Sequence, residues 1–251
     1  LNLDNLSVEF LPHYTNSMLT HHNLRIFYFI ALFRFSTGSS NEMNVTRRIN
    51  IMILFKNPHT KYPTPPFAKQ EQEVPGTEPK MKPQADHGEE SYRGSGRLKD
   101  AKALITGADS GIGRAIAIAY AREGADVVIN YGYDIEDGDA AETARLVKKE
   151  GRRALLSKGD LRKENYCQEL IDLCVREFGG IDILVNNAAY QMAHKTLEEL
   201  TAEEWDRTFE TNIRSMFYLC KAAVPFMKPG SSIINTASVN SYHPNAILLD
   251  Y

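Results

Sequence analysis

Short apolar runs rich in β-branched residues alternate with amphipathic segments through the second half of the chain. The apolar runs predict strands at residues 101–106, 126–131, 154–159, 181–186 and 232–237. The segments between them have apolar residues at helical spacing and predict helices near 113–123, 139–150, 163–178 and 201–227. Strands that alternate with helices in this way indicate an α/β fold, in which helices cover an open, doubly wound parallel sheet.

The sequence also indicates where helices begin and end. Gly124, Gly151 and Gly179 each follow a helical segment, at the position where a left-handed backbone commonly ends a helix. Thr201 and Glu204 have the spacing of a capping box, in which each side chain bonds the other residue's backbone amide. This pair predicts the start of the fourth helix.

The N-terminal part of the chain lacks this pattern and divides in two. Residues 1–62 are rich in Asn, His, Thr and aromatic residues, and the first residue is not methionine. We expect a non-family extension there, disordered or translated from upstream sequence; a basic surface anchor around the apolar run 26–33 is the alternative. Residues 63–98 are dense in Pro, Gln, Glu, Lys and Gly and predict an extended arm, which leaves 99–251 as the α/β domain.

The composition excludes several classes of protein. A formal net charge of -3, with both signs interspersed, provides no field that would attract a nucleic acid or an anionic membrane. No apolar run approaches the roughly 20 residues of a membrane span. Cys167, Cys174 and Cys220 have neither metal-site spacing nor the density of a disulfide scaffold, so we expect reduced thiols, no metal site and a cytoplasmic location. A small molecule is the expected partner.

The strongest chemical signal lies between the first predicted strand and the first predicted helix. The turn there reads T-G-A-D-S-G-I-G, and its candidate cofactor-binding residues are Gly107, Asp109, Ser110, Gly111, Ile112 and Gly113. Glycines permit a tight turn and let the backbone approach a diphosphate, whose charge the helix N-terminus attracts. Glycine-rich turns are also common in purely structural loops, but the position of this one favours a dinucleotide site of the Rossmann type.

The spacing TGxxxGIG resembles that of the short-chain dehydrogenases/reductases, and further motifs of that family follow in the same order. Asp160 and Leu161, after the third strand, resemble the family's adenine-contacting acid and its neighbour. The segment after the fourth strand resembles the NNAG motif, with alanine in place of the final glycine, and adds the candidates Asn187, Ala188 and Ala189. The resemblance covers roughly residues 65–251, and the arm is similar to that of a bacterial branch of the family.

Three candidate catalytic residues complete the resemblance. Asn212, Ser238 and Tyr251 stand where the family has its active-site asparagine, serine and tyrosine. Each has an ordinary structural explanation when taken singly, whereas their common order and spacing favour catalysis. The resemblance implies hydride transfer between a nicotinamide and an alcohol or carbonyl substrate. Tyr251 would be the general acid or base, Ser238 would hold the substrate oxygen, and Asn212 would position a water.

The resemblance also implies missing parts, since the sequence stops at Tyr251. A free tyrosine has a pKa of about 10. In the family a lysine one helical turn further on provides the nearby cation that base catalysis needs, and this lysine is absent here. The family's last strands and helices and its substrate loop are absent too. We therefore expect impaired or no activity and an uncovered fifth strand, while the full-length relative is expected to be a homo-oligomer, a tetramer by preference.

The choice between NAD and NADP stays open. At the end of the second strand an acid favours NAD and an arginine favours NADP, but the candidates Asn130 and Tyr131 carry neither charge. Ser110 also lacks the basic side chain that is frequent in NADP-preferring members. Two other functions stay open as well: a non-catalytic nucleotide-binding module, and an epimerase or dehydratase that keeps its nicotinamide bound. The substrate is not indicated by the sequence.

Overall fold

The computed structural model describes residues 57–251, so most of the predicted extension 1–62 lies outside the described residues. The strands in the described part are β1 Lys102–Ile105, β2 Asp126–Tyr131, β3 Ala154–Lys158, β4 Ile183–Asn186 and β5 Ser232–Asn235. The α-helices are α1 Pro58–Lys61, α2 Gly111–Arg122, α3 Asp137–Lys149, α4 Glu164–Phe178, α5 Ala202–Phe209 and α6 Ser215–Ala223. A π-helical segment lies at Glu210–Arg214, and 3₁₀ turns lie at Glu78–Lys80, Asp134–Glu136, Leu197–Glu199, Val224–Phe226 and Val239–Ser241.

The strands form one parallel sheet in the order β3-β2-β1-β4-β5. Leu104 in the central strand β1 pairs with Val128 on one side and with Leu184 on the other. The chain order therefore reverses between β1 and β4, which is the topological switch point where such sheets bind ligands. The predicted doubly wound Rossmann fold is confirmed.

Alternate residues of the inner strands face opposite layers of helices, because side chains along a strand point to opposite faces. Leu104 packs with buried residues of α4 and α6, including Ile171 and Leu219. Its neighbours Ala103 and Ile105 pack instead with residues of α2 and α3. Both faces of β1 are thus covered, which explains its continuous apolar sequence.

The edge strand β5 differs from these inner strands. All four of its residues are exposed, and Ile233 and Ile234 keep 37% and 42% of their surface accessible. It pairs with β4 on one side, and within the described part of the chain no strand pairs with its outer edge. The sheet therefore has an apolar edge beside the loop that carries Ser238.

The fourth predicted helix, 201–227, is wrong as a single helix. The chain forms α5, the π-helical segment, α6 and a final 3₁₀ turn, and Pro225 lies in that last turn. A proline has no amide to donate, so the α-helical hydrogen bonds end before it. The capping box is half formed: Thr201 accepts from the amide of Glu204 at 3.2 Å, while the Glu204 carboxylate accepts from the Tyr190 hydroxyl at 2.8 Å.

The other boundaries agree closely with the predictions. Each predicted strand is present with at most two residues fewer at an end, and the predicted helix stops Gly124, Gly151 and Gly179 all have positive φ. No helix in the range 57–251 has both the length and the apolar character that a membrane crossing requires.

The arm follows helix α2 of its own chain. Near the end of α2, the Arg122 guanidinium donates to the carbonyls of Gly88 at 2.9 Å and Tyr92 at 2.7 Å. Next to it, the Glu123 carboxylate accepts from the Arg97 side chain at 2.8 Å. The arm is thus held by hydrogen bonds and ion pairs, as its polar composition requires.

Candidate cofactor and catalytic site

The glycine turn lies at the switch point, beside the loop that follows β4. The Thr106 hydroxyl accepts from the amides of Asn187 at 2.9 Å and Ala188 at 3.0 Å. In return, the Asn187 side chain donates to the carbonyls of Thr106 at 3.1 Å and Gly107 at 3.2 Å. Ala189, the next residue of the motif, is exposed. These bonds join the loops of the two central strands into one surface.

Glycine is required at two positions of this turn. Gly107 has a φ of +59°, and a Cβ there would lie 3.0 Å from the Cα of Ala188. A Cβ on Gly113 would lie 1.9 Å from the Gly107 carbonyl oxygen. The helix therefore approaches the turn more closely than a side chain at Gly113 would allow.

The underside of the turn is held by polar side chains that the sequence analysis did not identify. The Asp109 carbonyl accepts from the Arg114 side chain at 2.7 Å and from the Thr143 hydroxyl at 2.8 Å. Arg114 also forms an ion pair with Asp139 at 3.1 Å, and both side chains are less than a tenth exposed. The available signal is that Arg114 directly follows the glycine motif on the buried face of α2, where a charge needs partners.

Two backbone donors at the start of α2 are unpaired within residues 57–251. The amides of Ile112 and Gly113 have no acceptor within the described part of the chain, and the Ile112 side chain is 66% exposed. Ser110 occupies the N-cap position of α2 but makes no capping bond with its side chain. Free first-turn amides and the helix dipole together make a site for an anion such as a diphosphate.

The structure directs the side chains at the end of β2 inward. Asn130 is buried, and its side-chain Nδ2 donates to the Tyr166 hydroxyl at 3.0 Å and to the Ser157 carbonyl at 3.3 Å. Tyr131 is also buried, and it hydrogen-bonds Asp137; burial is the main cause that raises the pKa of its hydroxyl. Neither candidate offers its side chain to the open end of the sheet.

An acidic side chain that the sequence analysis missed lies just beyond this strand. Glu136 accepts from the amides of Gly132 at 3.0 Å and Tyr133 at 2.9 Å. Its charge therefore lies at the loop that follows β2, although the strand end itself carries no acid. An acid is expected at the end of β2, whereas Glu136 lies six residues beyond Asn130.

The pair after β3 divides between the surface and the core. The Asp160 carboxylate accepts from the Arg162 guanidinium at 2.8 Å, and this bond holds the pKa of Asp160 below its usual range. The side chain of Leu161 is buried in the core, and its carbonyl accepts from the Cys167 thiol at 3.1 Å. Only Asp160 of this pair therefore has a side chain that a ligand can reach.

The candidate catalytic residues are held by neighbouring amides. Asn212 lies in the π-helical segment and bonds the backbone of Tyr190. The Ser238 hydroxyl accepts from the Asn240 amide at 3.1 Å, and the Asn240 side chain donates to the Tyr251 carbonyl at 3.0 Å. Asn240 is buried and thus connects the serine and tyrosine segments. Its only signal in the sequence is a polar residue two positions after the serine.

Comparison with known proteins agrees with this arrangement. The family model described as short chain dehydrogenase matches residues 101–251. The chain belongs to this family. The match begins one residue before β1 and includes the glycine turn and all three catalytic candidates of the short-chain dehydrogenase motif.

Two relatives and one solved short-chain dehydrogenase illustrate the similarity. The chain is 51% identical over 185 residues to uncharacterized oxidoreductase YhxD of Bacillus subtilis (strain 168), covering 74% of this chain and 62% of that protein. It is 43% identical over 188 residues to NADPH-dependent aldehyde reductase 1, chloroplastic, of Arabidopsis thaliana, covering 73% and 65%. A short chain dehydrogenase from Burkholderia cenocepacia J2315, solved in complex with NADP, matches with 33% identity and a TM-score of 0.58 over 61% of each chain. The chain thus spans somewhat less than two thirds of the length of these curated relatives.

Proposed function

We propose that this chain is a nicotinamide-dependent oxidoreductase that interconverts an alcohol and a carbonyl. The observation that carries the proposal is the glycine turn, in which the amides of Ile112 and Gly113 have no acceptor in the described part of the chain, and the helix packs too closely on the turn for a side chain at Gly113. Unpaired amides at a helix N-terminus favour an anionic group such as a diphosphate. Membership of the short-chain dehydrogenase family supports the same activity.

The residues present fit a nicotinamide dinucleotide. The diphosphate would be held at the N-terminus of α2, and the adenosine side would lie near Asp160 and the loop that begins at Gly132. The bound dinucleotide supplies the hydride. The Burkholderia structure contains NADP and the Arabidopsis relative is named NADPH-dependent, which supports a nicotinamide cofactor for this chain, either NAD or NADP.

Three side chains would carry the acid–base part of the reaction. Reduction of a carbonyl needs a proton at the developing alkoxide and hydrogen bonds that hold the oxygen. We assign the proton to the Tyr251 hydroxyl, the hydrogen bond to Ser238, and the positioning of a water to Asn212. Asn240 supports this assignment, because its backbone amide donates to the Ser238 hydroxyl and its side chain donates to the Tyr251 carbonyl, which connects the two segments.

Aldehydes are the first substrates to test. The Arabidopsis relative is named an aldehyde reductase, and a carrot relative with 40% identity is named glucose and ribitol dehydrogenase. Both names involve an alcohol and a carbonyl on a small molecule. We propose a substrate of this class.

We also propose that the protein assembles with further copies of itself, as a tetramer in its complete form. An exposed apolar stripe runs from α5 through the π-helical segment and α6 to the 3₁₀ turn that follows; it is formed by Trp205, Phe209, Ile213, Phe217 and Val224. Contiguous apolar surface of this kind marks interaction sites. We propose that the protein is located in the cytoplasm. Its three cysteines are free thiols, which are typical of a reducing compartment.

The proposal is tested by fluorescence titration of the purified chain with NADPH and NADH at fixed ionic strength. Saturable binding of at least one of them is expected. A folded chain that binds neither would contradict the proposal. Any oxidation of NADPH in the presence of small aldehydes, however slow, that Tyr251→Phe abolishes distinguishes an enzyme from a module that only binds nucleotide.

A further inference from the structure

The arm reaches the glycine turn through one buried carboxylate. Glu78 is 5% exposed and accepts from the amide of Gly111 at 2.7 Å. Its own amide donates to the Asp139 carboxylate at 3.0 Å. Asp139 pairs with Arg114, which in turn holds the Asp109 carbonyl under the turn. One arm residue is therefore connected, directly or through Asp139 and Arg114, to Gly111 and Asp109 of the turn.

A buried histidine fixes the orientation of this carboxylate. His87 is 8% exposed, and its Nε2 lies 3.0 Å from Oε1 of Glu78. Its Nδ1 lies 3.0 Å from Oε1 of Glu89, so the ring is held between two carboxylates. Buried charged groups need partners of this kind. The same oxygen of Glu78, Oε1, therefore contacts both the His87 ring and the Gly111 amide.

The position of Glu78 decides which amides remain available. The first amides of an α-helix have no acceptor within the helix. Glu78 accepts from the first of them, at Gly111, whereas those of Ile112 and Gly113 have no acceptor in the described part of the chain. Gly111 also has a φ of +52°, a conformation that the bond to Glu78 helps to fix.

We propose that Glu78 is a positioning residue for the cofactor. By accepting from the Gly111 amide it fixes the turn, so that the amides of Ile112 and Gly113 already face the position of a dinucleotide diphosphate. This inference rests on the proposed function. Without Glu78 the turn has to be ordered when the ligand binds, and that cost appears as lower affinity.

The test measures dissociation constants of NADPH and NADH by fluorescence titration, with a thermal melt of each protein. The variants are Glu78→Ala, Glu78→Gln and Glu78→Asp in the full chain. The matched control is Glu73→Ala, which removes an exposed carboxylate from the same arm. Affinity is the deciding measurement, because a residue that only anchors the arm changes the melting temperature and not the dissociation constant.

Glu78→Ala should weaken binding about tenfold, the effect of losing one charged hydrogen bond. Glu78→Asp keeps the charge but is one methylene too short for Gly111, so it should weaken binding similarly. Glu78→Gln keeps an oxygen acceptor, so its dissociation constant should stay within about threefold of that of the parent. Glu73→Ala should bind like the parent.

Parental affinity in Glu78→Ala and Glu78→Asp would overturn the inference while the proposed function stands. Tighter binding by Glu78→Ala and Glu78→Gln would overturn it too, since Glu78 would then compete with the diphosphate. If Glu78→Ala does not fold by circular dichroism, parental affinity in Glu78→Asp alone overturns it. A parent chain that binds neither dinucleotide removes the proposed function, and this inference with it.

Discussion

The side chain of Asn212 and the backbone of Tyr190 are joined by two hydrogen bonds that run in opposite directions. The Tyr190 amide donates to Oδ1 of Asn212 at 2.7 Å, and Nδ2 of Asn212 donates to the Tyr190 carbonyl at 2.8 Å. Asn212 lies in the π-helical segment, a local widening that occurs often at functional sites. The pair therefore ties this irregular turn to the loop that follows β4.

Replacing Asn212 by alanine should destabilise the fold. The change removes both bonds to Tyr190, and we expect a loss of about 2 kcal/mol in the free energy of unfolding, since each bond contributes about 1 kcal/mol. Urea denaturation followed by circular dichroism measures it. Asn165→Ala removes an exposed helical amide that makes no side-chain hydrogen bond in the described part, and it should stay within about 0.5 kcal/mol of the parent. Equal losses in the two variants would contradict the prediction.

Gly113→Ala should disrupt the cofactor site. The added Cβ meets the Gly107 carbonyl oxygen at 1.9 Å, so the helix must move away from the turn. We expect a loss of about 1–3 kcal/mol in stability, together with loss of NADPH binding. Gly138→Ala is the control, because Gly138 lies in α3 with nothing within 4 Å of its added Cβ. That variant should be about 0.5–1 kcal/mol more stable than the parent and bind NADPH normally, since alanine is the better helix former.

Local patterns explain why so much of the fold was predictable. Ala103, Leu104 and Ile105 alternate between two layers of helices, so all three are buried. The sequence shows this as an uninterrupted apolar run. The glycine turn is equally local, because its function depends on backbone conformation within one short segment. Strands, helices and the position of the phosphate-binding turn could therefore be obtained from the sequence.

Contacts between residues far apart in the sequence could not be predicted in this way. Glu78 lies 33 residues before Gly111, and nothing in the arm's composition identifies this carboxylate among its neighbours. The inward orientation of Asn130 depends on Tyr166, which lies 36 residues further along the chain. Whether a polar residue faces a ligand or the interior is decided by such partners, and they become visible only in three dimensions.

Asp109 should make stability depend on pH. Burial is the main cause that raises the pKa of this carboxyl from 3.8 to about 6, with a smaller contribution from Glu136. The folded state therefore favours the neutral acid. The folded protein binds this proton more tightly than the unfolded chain does. The contribution of the protonated Asp109 to the free energy of unfolding is therefore complete below about pH 4 and is lost as the pH rises to about 6.

Asp109→Asn removes this titration. At pH 7 the variant should be about 3 kcal/mol more stable than the parent, and the difference should shrink as the pH falls towards 4. Urea denaturation at a series of pH values measures the difference. Asp206→Asn, which neutralises an exposed carboxylate in α5, is the control and should give a small difference. A constant difference between Asp109→Asn and the parent over this range would show that the carboxyl is not perturbed.

The cysteines should differ in reactivity according to their burial. Cys167 and Cys174 are fully buried, and burial raises the pKa of each thiol to about 12, so neither forms the reactive thiolate at neutral pH. Cys220 is half-buried in α6. A disulfide reagent added to the native chain should therefore modify Cys220 first, and all three thiols should react at once in denaturant. Cys220→Ser should abolish the fast native reaction. Fast modification in that variant would mean that α4, which carries both buried thiols, does not pack against the sheet in solution as it does here.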